Sequence, residues 1–150
     1  MESYIDMRKR HQEEVNAAPV FFAFSDKQFE AGMKKLQLPP DDTDKIYSIG
    51  FGGFIQRKDA DAFHAMLDRH EAELHNAIHA EDGESGDAFA YSMFMYEMGN
   101  HEFHLTRDIE ETLSPCGLTF DEVLDDQHLS LSFQNAKRDF IQMADEKGWY

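Results

Sequence analysis

Glu97 and His101 stand four residues apart in MFMYEMGNHEFH, so on a helix they share a face. Glu97 is the one charged residue in a run holding Phe89, Tyr91, Met93, Phe94, Met95, Tyr96 and Met98. A helix that is apolar nearly all round is buried on more than one side. A carboxylate inside it needs a compensating partner. His70 falls in the apolar stripe of the preceding helix, and His104 and Asp108 follow just beyond His101. His70, Glu97, His101 and either His104 or Asp108 reach the three or four ligands of a Zn²⁺ site. With one position open, such a site would activate water, giving a metal-dependent hydrolase built on Glu97, His70 and His101. A closed site would hold the fold together. The HExxH pattern is absent, and His70-Glu71 followed by Leu74-His75 misses it by one position. The other reading is a buried Glu–His pair, or Glu97 paired with Arg69 or Arg107, and both readings stay open.

Other residues carry less. His64, Glu71, His75 and His79 form a second, polar stripe on the helix of His70 and read as surface. Cys116 is the one cysteine, so no internal disulfide can form. Between Pro115 and Gly117 it reads as a half-buried structural thiol. The glycine-rich GFGG lacks the GxxxxGK[ST] and GxGxxG spacings of phosphate loops, and no GxSxG elbow is present.

The elements that must position these residues are mostly helical. Residues 2–16 read as a charged helix with Tyr4, Ile5 and Val15 as contacts. Val20–Phe24 is a short apolar run, a strand or a buried connection. Ser25 and Gln28 form a capping box with Phe24 and Phe29 as its staple, and Pro39-Pro40 ends that helix by about Leu36. Residues 46–56 are mixed apolar and glycine, a pair of short strands or an extended loop. Asp59–Ala80 shows apolar residues at helical spacing. EDGESGD over 81–87 is an acidic turn into the central helix, about 87–101. A short helix follows from Ile109 to Leu113. Thr119 and Glu122 make a second capping box stapled by Leu118 and Val123. The last helix runs from about His128 to Glu146, with Gly148 as its stop. The expectation is one mainly α domain over 1–150, with five to seven helices around a central buried helix and at most a small β element near 46–56.

The chain has 150 residues, 41% hydrophobic and 13% aromatic, enough to bury a core. Thirty acids against 14 bases give a formal charge of −16. That charge repels nucleic acids and anionic membranes and suits a partner with a basic surface. No run approaches the ~18 apolar residues of a membrane span. The N-terminus lacks a signal-type apolar core, and a cytoplasmic setting is the expectation.

GMKKLQL, KIYSIGFGGFIQRKDADAFHAML, MFMYEMGNHEFHLTRD and CGLTFDEV resemble stretches of small uncharacterised acidic proteins of phages and mobile elements of gut Firmicutes. The resemblance spans residues 31–124 and implies a setting, a bacterial host cell where small acidic inhibitors of host defence occur, anti-CRISPR proteins among them. It implies a non-catalytic inhibitor that binds a CRISPR-Cas nuclease and blocks nucleic-acid loading. The acidic segments expected to make contact are Asp41, Asp42 and Asp44, then Glu81, Asp82 and Glu84, then Asp121, Glu122, Asp125 and Asp126.

Overall fold

A computed structural model describes residues 2–80 and 83–150, with the side chains of 83–88 outside the description. Among the described residues eight α-helices and three strands form in the order α1 (Tyr4–Ala17), β1 (Val20–Phe22), α2 (Asp26–Lys35), β2 (Ile46–Gly50), β3 (Gly53–Gln56), α3 (Arg57–Ile78), α4 (Gly83–Asn100), α5 (Phe103–Thr106), α6 (Ile109–Leu113), α7 (Phe120–Asp125) and α8 (Gln127–Lys147). The chain is mainly α, and its small β element lies where glycine and apolar residues mix. Five of these helices have ten residues or more, and α5, α6 and α7 are short. The central helix begins at Gly83, so 83–87, expected as a turn, belongs to α4.

Two compact units emerge, residues 1–10 with 71–150, and residues 11–70. The sequence reads as one domain because the unit boundaries fall inside α1 and α3, with no linker to mark them.

In the first unit α4 and α8 are the main packed pair. Phe94 and Phe133 meet edge to face at 5.2 Å between centroids, and Met93, Met98, Leu113, Leu129 and Phe140 fill the same core. Side-chain caps start four helices of this unit, and at α1 Ser3 accepts from the Asp6 amide. Asp108 accepts from the Glu111 amide, Thr119 from Glu122 and Asp126 from Leu129, each satisfying an amide that has no partner within its helix. Gly148 ends α8 with a φ of 66°, a left-handed conformation that glycine adopts without steric cost.

The second unit carries an antiparallel sheet in the order β1-β3-β2. Phe21 pairs with Phe54 and Val20 with Ile55, while β2 reaches β3 through an irregularity between Ser48 and Gly50. Helix α2 lays Met33 against Phe21 and Ile46. Gly32 is there because Phe21 needs the space, and a Cβ at Gly32 would lie 2.1 Å from the Phe21 Cδ2.

Gly32→Ala sets two effects against each other. Alanine gains about 1 kcal/mol of helix propensity. Overpacking costs about 1–3 kcal/mol, and the Phe21 ring is already wedged between Phe29 and Phe54. The clash is expected to win, with a net loss of about 1–2 kcal/mol in urea unfolding. A stabilised variant would show that the Phe21 ring can move.

Candidate functional site

Periodicity makes α4 apolar on nearly every face, and Glu97 sits in that apolar surface with 1% of its side chain exposed. Its compensation comes from the N-terminal helix. Tyr4 and Arg8 are four apart and share a face of α1. The Tyr4 hydroxyl donates to Glu97 Oε1 at 2.6 Å, and Arg8 Nη1 donates to the same oxygen at 3.0 Å. The Arg8 guanidinium also lies 5.4 Å from the centre of the Tyr96 ring, a cation–π contact. Tyr4 packs edge-on against Phe89 and Tyr96, at 5.9 and 5.8 Å. Burial first, and donation to Glu97 second, push the Tyr4 hydroxyl far above its ordinary pKa.

The other carboxylate oxygen faces His101. Glu97 Oε2 stands 3.4 Å from His101 Nε2, though the angle is too poor for a hydrogen bond. The second ring nitrogen of His101 stands 3.3 Å from Glu111 Oε1. The result is a row, Arg8, Glu97, His101 and Glu111, running from one half-exposed end to the other through a buried carboxylate. Cys116 lies close enough to feel this charge. Burial first, then the negative charge of Glu97, raises its thiol from 9.0 to about 12. Its Sγ donates to the Thr112 carbonyl at 3.7 Å.

The five residues read as a metal set lie in different surroundings, and His70 Nε2, Glu97 Oε2 and His104 Nδ1 are buried without a hydrogen-bond partner among the described residues. Glu97 and His101 are together as expected. His70 is buried, as its place in the stripe implied, but its ring stacks on His11 at 3.8 Å and its Nε2 stands 3.3 Å from Glu14 Oε2. Glu14 also pairs with Arg69, which holds its carboxyl below the ordinary range, with His70 adding to the effect. His104 lies among Phe140, Trp149 and Tyr150. Asp108 is spent on the α6 cap. Among the described residues no three His, Cys, Asp or Glu side chains gather to hold a metal. Neither arginine considered as a partner for Glu97 takes that role. Arg69 binds Glu14, and Arg107 donates to the His104 carbonyl and the Tyr150 hydroxyl.

The acidic segments divide similarly. Asp41 and Asp44 are exposed, while Asp42 pairs with Lys45 at 2.9 Å. Asp121 and Asp125 are exposed on α7, Glu122 closes the Thr119 capping box, and Asp126 caps α8 beside His79. Glu81, Asp82 and the side chain of Glu84 lie outside the described residues. Sequence reading missed Tyr4 and Arg8 as the partners of Glu97. Their i,i+4 spacing is the one signal that could have pointed to a polar pair on α1. No helix among the described residues is long and apolar enough to cross a membrane.

Residues 3–139 match the model of a family of unknown function, DUF7659, and the chain belongs to that family. No curated protein and no solved structure matches it.

Tyr4→Phe removes a hydrogen bond to a charged, buried acceptor and is expected to cost about 1.5–3 kcal/mol in urea unfolding. Arg8→Ala removes the counter-charge beside Glu97, leaves Tyr4 as the donor to Oε1, and is expected to cost about 1–3 kcal/mol, reduced by the half-exposure of the guanidinium. Because both donors share one oxygen, the double variant should depart from the sum by more than ~0.5 kcal/mol. Additivity would separate the two contacts.

Cys116 gives a pH prediction. Above pH 9 the unfolded chain releases a thiol proton that the folded chain keeps up to about pH 12. The unfolded state then binds fewer protons, so stability falls as pH rises through that window. Cys116→Ala is expected to flatten the alkaline fall. The native thiol should resist iodoacetamide at pH 8 and react once the chain is unfolded, as checked by mass spectrometry.

Proposed function

We propose that this member of the DUF7659 family is a non-catalytic acidic binding protein whose partner presents a basic surface of the kind that nucleic-acid-binding proteins carry. The observation behind the reading is how the chain uses its acids. Glu97 Oε1 accepts from Tyr4 and Arg8, and 1% of the side chain is exposed. A carboxylate committed in this way cannot reach a substrate proton. The buried Cys116 thiol, raised to about 12, is a poor nucleophile at neutral pH. The remaining charge is unevenly distributed. Residues 71–150 hold 18 acids against 4 bases, while residues 11–70 hold 10 against 7. Exposed acids such as Asp121 and Asp125 belong to the strongly acidic part.

Such a surface favours association with a basic groove and raises the on-rate by steering. The resemblance to phage and mobile-element proteins makes a CRISPR-Cas nuclease the candidate partner, with the acidic surface competing for the channel that holds nucleic acid. A bacterial cytoplasm is the corresponding setting. No contact with nucleic acid itself is part of the proposal.

The test is co-elution and competition with a panel of CRISPR-Cas effectors, with and without guide RNA, across a salt series. Expected are a complex that weakens about tenfold or more as salt rises to several hundred millimolar, and a similar loss in an Asp121→Asn, Asp125→Asn double variant that unfolds like the parent. A complex that ignores both salt and charge neutralisation would sink electrostatic mimicry. Failure to bind any basic effector would sink the partner class.

A further inference from the structure

The unit of residues 11–70 carries two features with nothing to satisfy them. The first is a knob. The β2–β3 turn runs through three left-handed residues, Gly50 at φ 87°, Phe51 at φ 52° and Gly52 at φ 79°. Two of these are glycines, which take such angles freely. Phe51 is a bulky residue that does so at a steric cost of about 1 kcal/mol or more, and it ends up 97% exposed. Phe24, 76% exposed, lies against the same turn, since a Cβ at Gly52 would come within 2.5 Å of its ring. Phe22, 58% exposed, borders Gly53. The Ala23 amide donates to the Gly52 carbonyl at 2.9 Å and ties this end of β1 to the turn. Three exposed aromatic residues therefore gather at this one turn.

The second feature is a hole. A groove of about 350 Å³ opens between the C-terminal end of α1 and the first turns of α3, with an apolar floor that includes Ala17, Pro19, Phe63 and Met66 and with Glu14, Asp59 and Ala62 on its walls. A cavity of ~150 Å³ suffices for one benzene ring, so this groove has room for a phenylalanine side chain. Phe51 is too exposed to be filling the groove of its own chain.

We infer that two copies of this chain associate through the 11–70 unit, the Phe51 tip of each seating in the groove of the other. A two-fold arrangement makes both contacts at once. Charge favours this unit as the meeting surface, because it holds 10 acids and 7 bases whereas residues 71–150 hold 18 and 4. Like-charged acidic surfaces repel a second copy, and the near-neutral unit does not. The area is adequate. Each exposed ring offers roughly 150–200 Å², so two patches with their grooves exceed the ~1,000 Å² that a specific interface needs.

The experiment is sedimentation velocity on the full chain from low to several hundred micromolar. The parent is expected to pass from monomer to dimer over that range. Phe51→Ser removes the knob, and Ala62→Trp blocks the groove. Both alter exposed positions, and circular dichroism checks that each keeps the parental fold. Each variant should weaken self-association about tenfold or more. Mixed together they should pair better than either does alone, because one knob and one groove survive between them. A parent that stays monomeric throughout overturns the inference, and capture of another protein through Phe51 by that monomer would reassign the patch to a different occupant. Dimerisation untouched by Phe51→Ser overturns it as well, and so does a mixture no better than its components. This inference does not rest on the partner proposed above, so either can fail alone.

Discussion

A carboxylate buried in an apolar helix is the constraint on which the first unit depends. Glu97 and Tyr4 are 93 residues apart in sequence and 2.6 Å apart in the fold. Desolvating a charge costs several kcal/mol unless hydrogen bonds and a counter-charge replace the lost water. Here Tyr4 and Arg8 supply both on one oxygen, and Arg8 keeps 45% of its side chain in solvent. That half-exposure lowers the cost of the pair, because the cation never loses all its water. The arrangement gives the first turns of α1 a single docking position on α4. A slip of one residue along α1 would turn Tyr4 and Arg8 away and leave Glu97 without donors. The contact therefore ties the register of α1 on α4 to one carboxylate.

The second unit is organised without any such charge. Its core is two small apolar clusters, Phe21, Met33 and Ile46 in one, and Ile55, Ala60 and Phe63 in the other. Shape does there what charge does around Glu97. Gly32 gives way to the Phe21 ring and Gly52 to Phe24, so the aromatic side chains are set by where glycine leaves room. The buried histidine of this unit, His70, is held by ring stacking on His11 and by the neighbouring Glu14.

Local chemistry was the most legible part of the sequence. Ser25 and Thr119 cap their helices, and Gly148 ends the last one, because caps and stops depend on residues within three or four positions. The apolar wrap of α4 was readable for the same reason, and it led correctly to a buried Glu97 and an adjacent His101. Inward-facing His70 followed from its stripe, but its partners did not, since periodicity gives a face and not a neighbour. The same limit hid Arg8. Among charged residues on α1, the sequence ranks none above the others, and Tyr4, Ile5 and Val15 all looked like contacts. Tyr4 and Met7 are the buried residues there, while Ile5 is 52% exposed. The Phe24–Phe29 staple also fails, because Phe24 turns to Gly52 and stays largely exposed. A close approach to a glycine in the distant β2–β3 turn overrode a local rule.

The way Glu97 is held also bears on what the molecule does. An acid or base in catalysis must meet a substrate atom within hydrogen-bond reach. Both oxygens of Glu97 face side chains of its own unit, Tyr4 and Arg8 on one and His101 on the other. Each of these neighbours is itself anchored, Tyr4 between Phe89 and Tyr96, Arg8 over Tyr96, His101 beside Glu111. On the side of Tyr4 and Arg8, opening a path to the carboxylate would mean separating α1 from α4, which would expose the buried Tyr4 and Met7 as well. That apolar surface alone is worth about 1.5–3 kcal/mol per side chain, in addition to the hydrogen bonds broken. The polar row at the centre of the first unit thus joins α1 to α4 through one buried carboxylate oxygen.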